Sequence, residues 1–243
     1  NCNTKVLGQV YQYFEEIDST QSVLKNLPSE KLADGMLVRA GFQSQGRGQM
    51  GSSWEAKANE NLTFSVYLEP NRWNLTSPWQ LSMWVAVALC QTIQKLLPEA
   101  EVRIKWPNDV LVHHEKVAGI LVENSFRGEH WHSSIIGIGW NILQQNFDPQ
   151  FSATSMVLSH SKVSDPSACL VSFLEHWEKV PTAHLQHRYL DLLWMKDQWQ
   201  SIQAENEERM GCIRNVDENG RLLVEWEDGN VGSYGMKELQ FLR

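Results

Sequence analysis

Leu62, Phe64, Val66 and Leu68 alternate with Thr63, Ser65, Tyr67 and Glu69. Strict alternation marks a half-buried strand, here expected in an antiparallel pairing. Ser77-Pro78 then offers an N-cap and a first-turn proline, and Leu81, Trp84, Val85, Ala88, Leu89, Thr92, Ile93 and Leu96 keep one helical face apolar up to Pro98. Such a helix lies across a sheet. Val102, Ile104 and Trp106 alternate again, as do Val110 and Val112. The polar His113-His114-Glu115 makes a turn into an apolar strand from Lys116 to Glu123, and Ile136, Ile138, Trp140 and Ile142 give one more strand.

From Ser164 the period changes. Asp165-Pro166 opens a helix with Leu170, Phe173, Leu174 and Trp177 on one side, and a second helix runs through Leu185, Tyr189, Leu192 and Leu193. After about Glu208 the chain reads as short strands, with Asn219-Gly220 and Asp228-Gly229 as hairpin turns. The pattern predicts an α+β fold in two parts. Residues 1–205 form a mixed, largely antiparallel sheet with helices, and residues 206–243 form a small β-barrel.

Composition narrows the function without naming it. The chain is 42% hydrophobic and 21% charged, ordinary for a globular protein and against disorder or a fibre. The net charge of -8 argues against a protein that lives on nucleic acid, whose non-specific affinity comes from surplus Lys and Arg. Cys2, Cys90, Cys169 and Cys212 are far apart and form no CxxC pair. Neither a zinc site nor a disulfide framework is expected, and a reducing cytoplasm fits best. No charged n-region with an apolar h-region opens the sequence, and no run of roughly 18 apolar residues occurs, so neither a signal peptide nor a membrane span is expected. Most of the eleven Trp residues are expected in the core or between subdomains.

Four segments carry candidate chemistry. Gln43 to Trp54 holds Gly46, Gly48 and Gly51 around Arg47. Glycine lets backbone N–H groups approach an anion and Arg47 adds fixed charge, so the loop suits a phosphate or carboxylate; spacing alone favours a plain hairpin loop. It is neither a Walker loop nor a dinucleotide fingerprint. In Lys105-Trp106-Pro107-Asn108-Asp109, Pro107 is expected to break the strand and turn Asn108 and Asp109 out of the ladder. An Asp there can meet magnesium with water and phosphate oxygens, or simply close a turn. The third segment, Lys116 to Glu123, places a lysine before a strand too apolar for a solvated face. The fourth is Gly137-Ile138-Gly139-Trp140-Asn141, where strand glycines indicate close approach of a ligand or another backbone. His113-His114 and His130-Trp131-His132 are read as turn histidines, since no third ligand is placed beside them.

In this order the segments resemble the biotin protein ligase family. The resemblance starts at Asp18-Ser19-Thr20-Gln21 and runs through the GRG loop, KWPND, KVAGILVE and GIGWN, covering roughly residues 10 to 145; from Gly211 the sequence GCIRNVDENGRLLVE looks like the family's small SH3-like barrel. The stretch from 165 to 200 matches in texture only. The resemblance implies a class II synthetase-like catalytic domain and an ATP-dependent ligase that makes biotinyl-5'-AMP and passes biotin to a carboxylase carrier lysine. Ser19, Thr20 and Gln43 would hydrogen-bond the ureido ring of biotin, with Gln21 beside them, and Trp54 would close an apolar wall. Gly46, Arg47, Gly48, Gln49 and Gly119 would complete the biotin site, Arg47 and Gly48 meeting the activated carboxyl and phosphate. Lys116 would reach the biotin carboxylate and the α-phosphate, and with Arg47 carry the chemistry. Lys105, Asn108 and Asp109 would hold ATP, Asp109 its Mg2+, and Asn141 would read the adenine edge.

Two departures are visible. Gln21 stands where the family usually has Asn, a small change of reach, and Gln49-Met50 where it commonly has further basic residues, which removes positive charge from the loop and leaves the tightness of adenylate binding open. Implied partners are biotin, ATP and a carrier domain, with no nucleic acid and no membrane; a homodimer is left open. A lipoate or octanoate transferase of the same fold is the enzymatic rival. A biotin-responsive transcriptional regulator is the other, and it would need helices ahead of a resemblance that begins within the first 20 residues.

Overall fold

The computed structural model describes residues 3–159, 162–163, 165–205 and 207–242. Ser164, where the helical period was expected to begin, lies outside the described residues. Seven strands build the main sheet: β1 (Tyr11–Ile17), β2 (Leu37–Gln43), β3 (Asn61–Leu68), β4 (Val102–Lys105), β5 (Asp109–Val112), β6 (Glu115–Arg127) and β7 (His130–Asn141). Their order is β1-β2-β3-β7-β6-β5-β4, with β1 and β2 parallel and the remaining pairs antiparallel.

β3 is buried along its whole length, against the half-exposed strand its alternation predicts. Leu62, Phe64, Val66 and Leu68 enter the main core, while Tyr67 joins a second cluster beneath a short helix, α1 (Thr20–Asn26), that the pattern did not reveal. The polar positions between them are satisfied internally: Thr63 Oγ1 donates to the Ala40 carbonyl at 3.1 Å, and Ser65 Oγ meets Thr20 Oγ1 at 2.7 Å. Period two therefore reports which face each residue takes, and α1 decides that the polar face stays dry.

The long helix α2 (Pro78–Leu96) starts as the sequence predicts, with Ser77 Oγ accepting from the Gln80 N–H at 3.1 Å. It is buried nearly all round, because α3 (Pro166–Trp177) and α4 (Leu185–Leu192) pack on the side away from the sheet. Asp165 caps α3 through the Ser167 N–H. Trp84 lies between Trp73 and Trp177 and donates to the Val180 carbonyl at 2.8 Å. Among the described residues no helix is long and apolar enough to cross a membrane.

A second, antiparallel sheet follows: β8 (Trp199–Ala204), β9 (Glu207–Val216), β10 (Leu222–Trp226), β11 (Val231–Tyr234) and β12 (Leu239–Phe241), in the order β11-β10-β9-β8-β12. It begins at Trp199, so the boundary expected between 205 and 206 falls inside it, between β8 and β9. Gly220 and Gly229 take φ +82° and +83° in the two predicted turns, a conformation that suits glycine. Two tryptophans join this sheet to the rest. Trp106 Nε1 donates to the Gly220 carbonyl at 2.9 Å, and the Trp79 ring rests against Gly220 and meets Tyr189 edge-on.

Candidate active site

The site lies beside α1, the glycine-rich loop and the central strands β6 and β7, around a cavity of about 240 Å³. α1 begins at Thr20, with Ser19 as its extended N-cap residue. Ser19 does not use its hydroxyl to cap; Oγ is buried with no hydrogen-bond partner among the described residues, and Gln21 Oε1 is in the same state. Both residues line the cavity and are almost wholly buried. Thr20 fixes the neighbouring amide, since its N–H and Oγ1 both donate to Gln43 Oε1, at 2.8 and 3.0 Å. The Gln43 amide nitrogen is left for the cavity. A buried polar atom without a partner costs about 1–3 kcal/mol, so this end of the pocket is built for a polar group that is itself rich in donors and acceptors.

The glycine-rich loop closes on itself. Trp54 N–H donates to the Gly46 carbonyl, Gly48 N–H to Ser52, and Met50 and Gly51 both take positive φ between them. Gly46 is thus part of the loop's frame, packed against the Trp54 backbone, and does not line the cavity. Trp54 returns to lie on Gly139 of β7 and Gly119 of β6. A Cβ at Gly139 would overlap the indole, and one at Gly119 would come within 3.2 Å of it. The strand glycines therefore admit side chains: Trp54 at Gly139, and Gln21 at Gly137, where an added Cβ would meet the amide at 3.2 Å.

Asp109 stays in the ladder, paired with Lys105 and Gly119, which corrects the expectation that Pro107 would turn it out. The chain reverses over Trp106 to Asn108, between β4 and β5, and β5 resumes at Asp109. Asn108 ties this turn to β6, its side-chain N–H donating to the Ile120 carbonyl while its own carbonyl accepts from Ile120 N–H. Lys116 lies on β6, and its Nζ is 2.8 Å from Asp109 Oδ1, both side chains partly exposed. Arg47 reaches Glu123 at 3.3 Å; Lys25 and the Gln21 amide converge on the same carboxylate.

A second cavity of about 430 Å³ adjoins the first, and Ser52, Ser53, Trp54, Asp109 and Lys116 line both. Lys105 and Asn141 belong to this second cavity and not to the first. Lys105 Nζ lies 5.6 Å from the Trp194 ring centre, and Asn141 is buried with its amide donating to the Thr154 carbonyl. His130 to His132 open β7 and are strand residues, which corrects their reading as a turn. His113 and His114 do form the turn before β6, both at positive φ. Two residues of the site lie outside the four sequence segments' candidate chemistry: Glu123 as an anchor for Arg47, and Lys237, which lines the first cavity from the second sheet. No local pattern marks either one, because each reaches the site only through the tertiary fold.

Residues 13–141 match the model of the biotin/lipoate A/B protein ligase family. The chain is 30% identical over 237 residues to the bifunctional ligase/repressor BirA of Bacillus subtilis strain 168, covering 93% of this chain and 72% of that protein. It is 38% identical over 122 residues to the biotin--[acetyl-CoA-carboxylase] ligase of Paracoccus denitrificans, covering 48% of this chain and 50% of that one. Its fold is that of the biotin protein ligase from Aquifex aeolicus in complex with biotin and ATP, with a TM-score of 0.77 at 23% identity over 97% of this chain and 99% of that one. The matched segment holds α1, the glycine-rich loop and the Lys116–Asp109 pair, so the family likeness and the site coincide: the chain belongs to the biotin/lipoate A/B protein ligase family.

Proposed function

We propose that this protein is an ATP-dependent biotin ligase that makes biotinyl-5'-AMP and transfers biotin to a lysine of a carboxylase's biotin carboxyl carrier domain. One observation carries the choice of biotin over lipoate or octanoate: the buried, unpartnered Ser19 Oγ and Gln21 Oε1 beside Thr20 and Gln43. A ureido ring presents two N–H donors and a carbonyl acceptor to such a wall. A dithiolane or an alkyl end offers nothing comparable and would leave those atoms unsatisfied.

Lys116 and Asp109 line both cavities, so an acid in the first would meet a nucleotide in the second at the Lys116 ammonium. The carboxylate of the acid attacks the α-phosphorus of ATP, forming the mixed anhydride and releasing pyrophosphate. Lys116 and Arg47 offset the negative charge that gathers there. The carrier lysine then attacks the acyl carbon and AMP leaves. Only about one free Lys amine in 2,500 is neutral at pH 7, a handicap of about 4.6 kcal/mol that positioning and the cationic site must reduce.

Among the described residues no group of three or more His, Cys, Asp or Glu could hold a metal ion by itself. Mg2+ would therefore be held chiefly by phosphate oxygens and water, with Asp109 as the protein carboxylate in reach, and would supply charge neutralisation. Lys105 and Asn141 would border the nucleoside, Asn141 through its backbone and its position more than through an amide already engaged with Thr154. The cytoplasm, where carboxylases and ATP are found, is the proposed compartment. Pyrophosphate release with ATP and Mg2+, compared among biotin, lipoate and octanoate, tests the assignment: biotin should be the preferred acid, and equal or greater turnover of lipoate would reverse it.

A further inference from the structure

Glu123 lies on β6, half-buried, and its carboxylate gathers donors from two separate parts of the chain without itself lining the first cavity. Arg47 Nη2, from the glycine-rich loop, is 3.3 Å from Oε1, and Lys25 Nζ, from the last turn of α1, is 3.5 Å from the same oxygen. Gln21 Nε2, one turn earlier on α1, donates to the other oxygen, Oε2, at 3.2 Å. One oxygen thus faces two cations and the other faces the amide of a residue that lines the cavity.

An ionised carboxylate can only accept hydrogen bonds. It therefore takes the NH2 end of the Gln21 amide and leaves Oε1 as the free end. That oxygen is buried with no partner among the described residues, on a side chain that is packed against Gly137 of β7. At Gln43 the arrangement is reversed: its Oε1 accepts from Thr20 N–H and Oγ1, so its NH2 is the free end. The two amides of the pocket carry opposite polarities, an acceptor from Gln21 and a donor from Gln43, each set by the group behind it. A cyclic urea needs both.

We propose that Glu123 is a positioning residue for recognition of the ureido ring: it holds the Gln21 amide with its carbonyl oxygen free to accept a ureido N–H. The proposal rests on the ligase reading above. It also gives the Lys25 and Arg47 contacts a consequence, because they fix which way a substituted side chain would turn. In Glu123→Gln the new carbonyl is drawn to the two cations, so the new NH2 faces Gln21. The Gln21 amide must then turn over, offering a donor where the ureido ring also brings one.

Biotin affinity is measured calorimetrically without nucleotide for wild type, Glu123→Gln, Gln21→Met and the double variant, each first checked by circular dichroism for an unchanged fold. Methionine matches the length of glutamine and has no amide, so it leaves Glu123 nothing to orient. Glu123→Gln should weaken biotin binding about tenfold, the scale of one hydrogen bond lost to opposed donors, but by no more than about twofold in the Gln21→Met background. Glu123→Leu, which offers Gln21 no acceptor, replaces the glutamine variant if that one does not fold, and it too should weaken binding only where Gln21 is present. Wild-type affinity in the Glu123 variant overturns the proposal. So does an equal loss in both backgrounds, which would route the effect of Glu123 through Arg47. A wild-type protein that binds no biotin would instead overturn the ligase reading itself.

Discussion

Lys116 is where the account concentrates its chemistry, because its ammonium touches both cavities and is held by a single carboxylate, Asp109. Charge stabilisation of this kind acts most strongly at the transition state, so Lys116→Ala should cut biotin-dependent pyrophosphate release roughly a hundredfold to a thousandfold with the fold intact. A rate within twofold of wild type, at unchanged circular dichroism, would remove Lys116 from the site. Gly139 gives a steric test. A methyl there overlaps the Trp54 indole, and overpacking of that kind costs about 1–3 kcal/mol unless something moves. Trp54 is on a loop and Gly139 on a buried strand, so the indole should give way: Gly139→Ala should weaken biotin binding in calorimetry while Tm changes little. Unaltered biotin affinity would mean the indole is not a wall of the biotin pocket. At this scale the sequence was most informative where a residue type is required by shape. The glycines of GIGWN announced a close approach, and the approaching groups are Trp54 and Gln21. Lys237 and Glu123 were illegible for the opposite reason: a lone Lys in a turn and a Glu at a strand end have the same local pattern whether or not the fold brings them to a site.

Elements were legible where one periodicity ran long enough. α2 and α3 begin at their predicted caps because Ser77-Pro78 and Asp165-Pro166 fix both the first-turn φ and an acceptor for an orphan N–H. α1 escaped notice because its seven residues make barely two turns, too few for an apolar stripe to be distinguished from a strand. The glycine-rich loop has its own prediction. Its internal hydrogen bonds are few and its side chains mostly exposed or half-buried, so it opens at low cost, and bound biotin or adenylate should slow protease cleavage between Gly46 and Trp54. Protection appearing elsewhere and not here would reduce the loop to a connector. α3 carries a pH prediction. Burial, aided by Lys95 and Lys179, holds the His176 imidazole below its usual pKa of 6.5. The fold therefore favours neutral His176, and its contribution is complete above pH 6.5 and is lost as pH falls from there through the lowered value. Tm should decline from pH 7 toward pH 5, and His176→Gln, which can keep the bond to Gln91, should flatten that decline. An identical pH profile in the variant would assign the acid sensitivity to other groups.

For the whole molecule, the α+β layout and the C-terminal β-rich sheet follow from the order of periodicities, whereas the seam between the parts does not. Trp199 to Ala204 reads as polar and irregular, yet it forms β8, because β9 and β12 on either side supply the hydrogen bonds and half its side chains face the second core. The seam is closed by groups distant in sequence, Trp106 on Gly220 and Lys237 on Met50. The central claim is that this site activates biotin and hands it to a carrier lysine. Its most direct test is to incubate the protein with biotin, ATP, Mg2+ and a purified biotin carboxyl carrier domain and weigh the carrier. The account predicts one biotinyl increment, dependent on ATP and abolished when the acceptor lysine is replaced. An unmodified carrier in the presence of folded protein would contradict it.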